Sequence, residues 1–92
     1  MRWFKKKYKE LITIRGVELN NDNTINIELT TPDPERLIKP IMDKFKVTSF
    51  SWQYFDLKIN IVAENGNWEK TITRFKSYME QLNDGLNELY DG

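Results

Sequence analysis

A strand-and-helix pattern that recurs after 34 residues constrains the fold of this chain more than any other feature. The sequence Ile-Asn-Ile at residues 25–27 returns at residues 59–61, and the helix-capping type of residue at Asp33 returns at Asn67. Each alternating strand would then be followed by a capped helix, which predicts two ββα units in series. The alternative is that any strand–loop–helix unit produces such matches, because the alignment is poor upstream of the strands.

The first unit begins with a predicted β-hairpin. Residues 24–30 alternate apolar and polar side chains, as a strand with one buried face does. Residues 11–19 alternate only if the register shifts by one residue at Gly16, which indicates a β-bulge. The polar residues 20–23 form the turn between the two strands.

A helix is predicted to follow the hairpin. Asp33 and Pro34 suit the cap and the first position of a helix. Pro40 lies in the helix interior, where proline removes a hydrogen bond, so we expect a kink or two short helices.

Residues 46–64 are too long for one ordinary strand, and the apolar side changes near residues 54–56. Two strands joined by a tight turn are favoured over one bent strand, although this turn lacks glycine. The alternating aromatic residues Phe50, Trp52 and Tyr54 are expected to face the core, because the residues between them are polar.

The last helix carries the strongest periodicity in the chain. Apolar residues recur in it at spacings of three and four: Trp68, Ile72, Phe75, Met79, Leu82, Leu86 and Leu89. The predicted fold is therefore α+β in two layers, with the order ββαββα and two helices on one face of an antiparallel sheet. The sheet has four strands, or three if residues 46–64 form one bent strand. Residues 1–10 form a basic-aromatic N-terminal segment, and residues 11–92 form a single α+β domain.

Composition excludes several classes of function. The chain has no cysteine and no histidine, so thiol chemistry, disulfides and the commonest general base and metal ligand are missing. The 14 basic and 14 acidic residues balance, which is not typical of a nucleic-acid binder. We therefore expect no enzymatic activity, no metal and no cofactor. We also expect no membrane span and a cytoplasmic location, and richness in Asn, Lys and Ile favours a low-GC bacterium or its phage as the source.

The N-terminal segment allows two interpretations. Its cations Arg2, Lys5, Lys6, Lys7 and Lys9, with stacking by Trp3 or Tyr8, predict phosphate and base contacts if the chain binds nucleic acid. The structural alternative, which we favour, is that Trp3, Phe4 and Tyr8 pack on the domain while the lysines stay solvated.

The length of the last helix points to a binding surface. From residue 68 to 89 it would be about 33 Å long, whereas strands of five to seven residues are roughly 17–23 Å long. The apolar end of the helix should then overhang the sheet and need a cover, unless Gly85 ends the helix and lets the last turn fold back. The cover would be the N-terminal aromatics, a second copy in a homodimer, or a different protein. The predicted function is a non-enzymatic protein–protein interaction module, an inhibitor, adaptor or accessory factor of phage or mobile-element origin. Its predicted contact residues are Trp3, Phe4, Tyr8, Leu82, Leu86, Leu89 and Tyr90.

Overall fold

The structure is a computed structural model that describes residues 8–91, with side chains through residue 90. Its elements follow the predicted order ββαββα. They are β1 (Thr13–Leu19), β2 (Thr24–Thr30), α1 (Pro34–Lys44), β3 (Val47–Gln53), β4 (Asp56–Val62), a single 3-10 turn (Glu64–Gly66) and α2 (Trp68–Asp91).

The four strands form one antiparallel sheet in the order β1-β2-β4-β3. Residues 46–64 form two strands joined by a turn at Tyr54 and Phe55, so the three-stranded alternative is wrong. The β-bulge predicted in β1 is confirmed, because the register with β2 shifts between Ile14 and Gly16. The strands β1 and β3 are therefore the two edges of the sheet.

The central strands carry the internal repeat. Residues 25–27 of β2 lie opposite residues 59–61 of β4, with Asn26 directly facing Asn60. Because residues that are 34 apart in sequence meet across an antiparallel pair, an approximate two-fold axis passes between these two asparagines. The two helices also begin 34 residues apart. The repeated sequence thus coincides with two ββα halves that join at the middle of the sheet.

The core lies between the sheet and the two helices, which cover the same face. β2 and β4 alternate strictly between buried and outward-facing positions, as expected for central strands with one covered face. The buried apolar side chains come from every part of this layer: Ile12, Ile25, Ile27, Leu29, Leu37, Ile41, Phe45, Leu57, Ile59, Ile61, Ala63, Phe75, Met79 and Leu86.

The helix starts agree only in part with the predicted caps. Asn67 caps α2 as predicted, because its Oδ1 accepts a hydrogen bond from the Lys70 backbone N–H at 3.0 Å. Asp33 occupies the cap position of α1, but its carboxylate instead accepts a hydrogen bond from the Arg36 Nε at 3.0 Å.

Neither of the two predicted interruptions breaks a helix. α1 continues through Pro40, so the split into two short helices is wrong. α2 continues through Gly85 to Asp91, so the expectation that Gly85 ends the helix is also wrong. The 24 residues of α2 correspond to roughly 36 Å, which preserves the predicted mismatch between helix and strand lengths.

Candidate protein-binding surfaces

The overhanging half of α2 is covered by the chain itself. Residues 8–12, which precede β1, lie along this half of the helix and are held by the side chains of Asn83 and Asn87. We call residues 8–12 the N-terminal strap. Of the three covers considered from the sequence, the N-terminal segment is the one that the described residues provide.

Asn83 and Asn87 lie one helical turn apart and hold the strap through its backbone. Asn83 Oδ1 accepts hydrogen bonds from the N–H groups of Leu11 and Ile12, at 2.6 and 2.9 Å. Asn87 Oδ1 accepts one from the Lys9 N–H at 3.0 Å, and both side-chain amides donate to the Lys9 carbonyl at 2.9 Å. The backbone groups of the strap thus gain partners, as buried polar groups require.

The sequence analysis missed these two asparagines because they interrupt the apolar stripe of α2. They lie directly after Leu82 and Leu86, so they share the face that packs on the strap. Two amide side chains four residues apart on an apolar helix face are the signal that was available, since each can bind one N–H and one C=O of an extended backbone.

The strap changes which of the predicted contact residues are accessible. Leu86 is only 5% exposed and Leu82 packs against the core, whereas Leu89 and Tyr90 are about half exposed. Tyr8 donates a hydrogen bond to Glu88, which adds to the attachment of the strap. Trp3 and Phe4 lie outside the described residues. The predicted surface on α2 is thus reduced to its last apolar pair.

The residues of the nucleic-acid hypothesis lie mostly beyond the described part of the chain. Arg2, Lys5, Lys6 and Lys7 lie outside it, and Lys9 is an exposed residue of the strap. The hypothesis therefore remains a prediction from the sequence.

The aromatic residues of β3 are less buried than the sequence predicts. Phe50 lies opposite Ile59 and Trp52 opposite Leu57, so both point to the helix side of the sheet, as expected. They are nevertheless 41% and 45% exposed, and the expectation that they belong to the core is wrong. The reason is that β3 is an edge strand and α1 covers only part of its width.

An apolar groove lies between α1 and β3. Phe50 and Trp52 form one wall, with stacked rings whose centroids are 6.1 Å apart. Ile38 and Met42 form the other wall, and Met42 is half exposed. The groove has a volume of about 390 Å³ and is open to solvent along its length. We call it the α1–β3 groove.

The charged residues of the groove all lie on α1. Glu35, Lys39 and Asp43 line its rim, and the Lys39 Nζ lies 3.7 Å from the Asp43 Oδ2. β3 itself, from Val47 to Gln53, contains no charged residue and no proline. The free edge of the sheet beside the groove is therefore uncharged.

The opposite edge strand differs in this respect. β1 carries Arg15 and Glu18 and is bulged near Gly16, and charges and bulges are features by which edge strands avoid pairing with other chains. Only β3 combines an open edge with an uncharged sequence.

The turn after β3 adds an exposed and strained aromatic residue. Tyr54 has a φ of +57° and is 83% exposed. The other described residues with positive φ are two asparagines and a glycine, which tolerate this conformation: Asn23, Asn65 and Gly66. A bulky side chain retained at such a position is a reason to suspect function, because the strain is not needed for the turn.

We predict that replacing Tyr54 with glycine raises the free energy of unfolding by about 1 kcal/mol, because it relieves the left-handed strain and removes little packing. Urea denaturation measures this change. Phe55→Gly is the matched control, since Phe55 has no positive φ and the added chain freedom should lower stability. A loss of stability in both variants would show that Tyr54 is not strained.

The outer face of the sheet is polar and internally satisfied. Asn60 Nδ2 donates a hydrogen bond to Asn26 Oδ1 at 2.5 Å, and Lys58 Nζ lies 3.9 Å from Glu28 Oε2. These groups suit contact with water, as the sequence predicts for this face. Among residues 8–90, no three potential metal-ligating side chains lie close enough together to hold a metal ion. No helix in the described part of the chain is both long and apolar enough to cross a membrane.

Comparison with models of known protein families gave no match, and no curated protein or solved structure proved similar to this chain.

Proposed function

We propose that this chain is a non-enzymatic protein-interaction module, an inhibitor, adaptor or accessory factor, that binds its partner at the α1–β3 groove. The observation that carries the proposal is the exposure of three large apolar side chains, Met42, Phe50 and Trp52, beside an uncharged sheet edge. Exposed apolar clusters of this kind mark interaction sites in soluble proteins.

The size of the apolar surface supports a site rather than scattered exposure. If each of these side chains offers the usual area of a large apolar residue, the three expose on the order of 300 Å². This area is within the range of the largest patches found on single proteins, which are often functional. Trp52 would be the main contact, because tryptophan is enriched among residues that dominate binding energy.

The surface predicted from the sequence stays in the proposal in a reduced form. Leu89 and Tyr90 remain exposed at the end of α2 and offer a second contact for a partner or a second copy. A cytoplasmic location and a phage or mobile-element origin also belong to the proposal, and only composition supports them.

The proposal is tested by capturing partners from a lysate of the native host on three immobilised forms of the chain. These are the wild type, Trp52→Ala and Leu19→Ala. Leu19 is the matched control because it is also 45% exposed but lies on the opposite edge strand. Bound proteins are identified and quantified by mass spectrometry.

We expect a partner that the wild type and Leu19→Ala retain equally and that Trp52→Ala loses by about tenfold or more. Retention of the same proteins by all three forms would contradict a binding site at the groove. Circular dichroism of Trp52→Ala should match the wild type, since the replaced side chain is half exposed.

A further inference from the structure

The free edge of β3 suggests which kind of partner the α1–β3 groove binds. We infer that the partner contributes an extended segment that pairs with β3 as a fifth strand of the sheet and places its side chains in the groove. This inference rests on the proposed function and specifies the chemistry of its ligand.

The backbone of β3 is available for such pairing. β3 pairs with β4 on one side and is the last strand of the sheet on the other. An edge strand presents a row of N–H and C=O groups to which another chain can bind. The register of β3 shifts between Val47 and Ser49, which leaves residues 49–53 as a regular run for pairing. Five residues of strand are about 17 Å long, which is enough for a short peptide.

The groove is placed to select the side chains of the added strand. Alternate residues of a strand point to the same side, so an added strand would direct every second side chain toward the helix layer. There it would meet Phe50 and Trp52 from the sheet and Met42 from α1. The segment should therefore carry two apolar side chains separated by one residue.

The area of the groove favours a peptide segment over a second copy of the chain. A stable interface between folded proteins buries about 800 Å² on each partner, whereas the three exposed side chains of the groove offer on the order of 300 Å². An added strand needs less side-chain area, because main-chain hydrogen bonds supply part of its affinity.

The charge of the rim further defines the ligand. Lys39 is paired with Asp43, so Glu35 is the rim charge that no ion pair among the described side chains neutralises. A lysine or arginine in the segment, near Glu35, would complement it. The expected ligand is an extended segment with apolar residues at alternate positions and one basic residue.

The inference is tested by selecting binders to the full chain from a phage-displayed library of random linear peptides of about ten residues. Selected peptides are synthesised, and their dissociation constants are measured for wild type, Trp52→Ala, Glu35→Gln and the control Leu19→Ala. A second peptide series carries N-methyl groups at single backbone amides, which removes one hydrogen-bond donor at a time.

We expect alternating apolar residues and a basic residue in the selected peptides. Trp52→Ala should weaken binding about tenfold or more, Glu35→Gln by several-fold, and Leu19→Ala by less than about twofold. N-methylation should abolish binding at every second amide, which would face β3, and be tolerated at the amides between.

Three results would overturn the inference. The library could yield no peptide whose binding depends on Trp52, N-methylation could have no alternating effect, or light scattering could show a wild-type dimer that Trp52→Ala dissociates. The last result would identify a second copy as the occupant. If a host protein is captured through Trp52 but no peptide binds, the proposed function stands and the extended segment is wrong.

Discussion

Replacing Leu86 with aspartate is expected to lower the free energy of unfolding by about 4 kcal/mol or more. Leu86 lies under the N-terminal strap with 5% of its surface exposed. The substitution removes a buried apolar side chain and places a charge where it has no water and no cation to pair with. A domain of this size has a total stability of roughly 5–14 kcal/mol, so the variant should be unfolded or close to it at ambient temperature.

Leu89→Asp is the matched control, one residue type and three positions further along the same helix. Leu89 is 53% exposed, so the same substitution should change stability by no more than about 0.5 kcal/mol. Urea denaturation followed by tryptophan fluorescence measures both variants. Equal and small effects would mean that the strap does not cover Leu86 in solution, and the whole apolar end of α2 would again be available to a partner.

Removing the two asparagine side chains that hold the strap should cost about 3 kcal/mol of stability. Asn83→Ala with Asn87→Ala deletes the partners of the strap backbone at Lys9, Leu11 and Ile12. The loss is large because Asn87 is almost fully buried, so the freed backbone groups cannot all return to water at no cost.

The double variant is compared with Gln81→Ala, which changes an exposed amide on the same helix. Hydrogen exchange followed by mass spectrometry should show faster exchange at residues 9–12 in the double variant and wild-type exchange in the control. Unchanged exchange at the strap would mean that apolar contacts alone hold it, and that the amide pairs are incidental.

The sequence predicted those parts of the fold that depend on local pattern. Residues 25–29 alternate cleanly because β2 is a central strand with one face buried over its whole length. The turn at Tyr54 could be placed without a glycine signal, because the apolar side changes there. Asn67 could be identified as a cap because its side chain acts on the helix that directly follows it.

The candidate surface was harder to predict, because burial depends on distant elements. Alternation correctly gave the side of the sheet to which Phe50 and Trp52 point, but not whether a helix covers them. Their exposure follows from the edge position of β3, which is a property of strand order. The burial of Leu86 likewise depends on a strap more than 70 residues away in sequence. No local periodicity contains such information.

The two edges of the sheet show how the chain combines stability with an available binding site. Charges and a bulge occur on β1, whereas β3 has an uncharged edge and ends in the strained Tyr54. An open edge carries a risk of aggregation, and strain lowers stability. Both features lie at the same corner of the molecule, which supports the assignment of function to β3.

The most direct test of this account is to map where the captured host partner contacts the chain. Hydrogen exchange of the complex, compared with the free chain, reports which backbone amides become protected. The account predicts new protection in β3 and along α1, with wild-type exchange at the outer end of α2. Protection confined to residues 82–90 or to the N-terminal residues would contradict it and would favour the surfaces first suggested by the sequence.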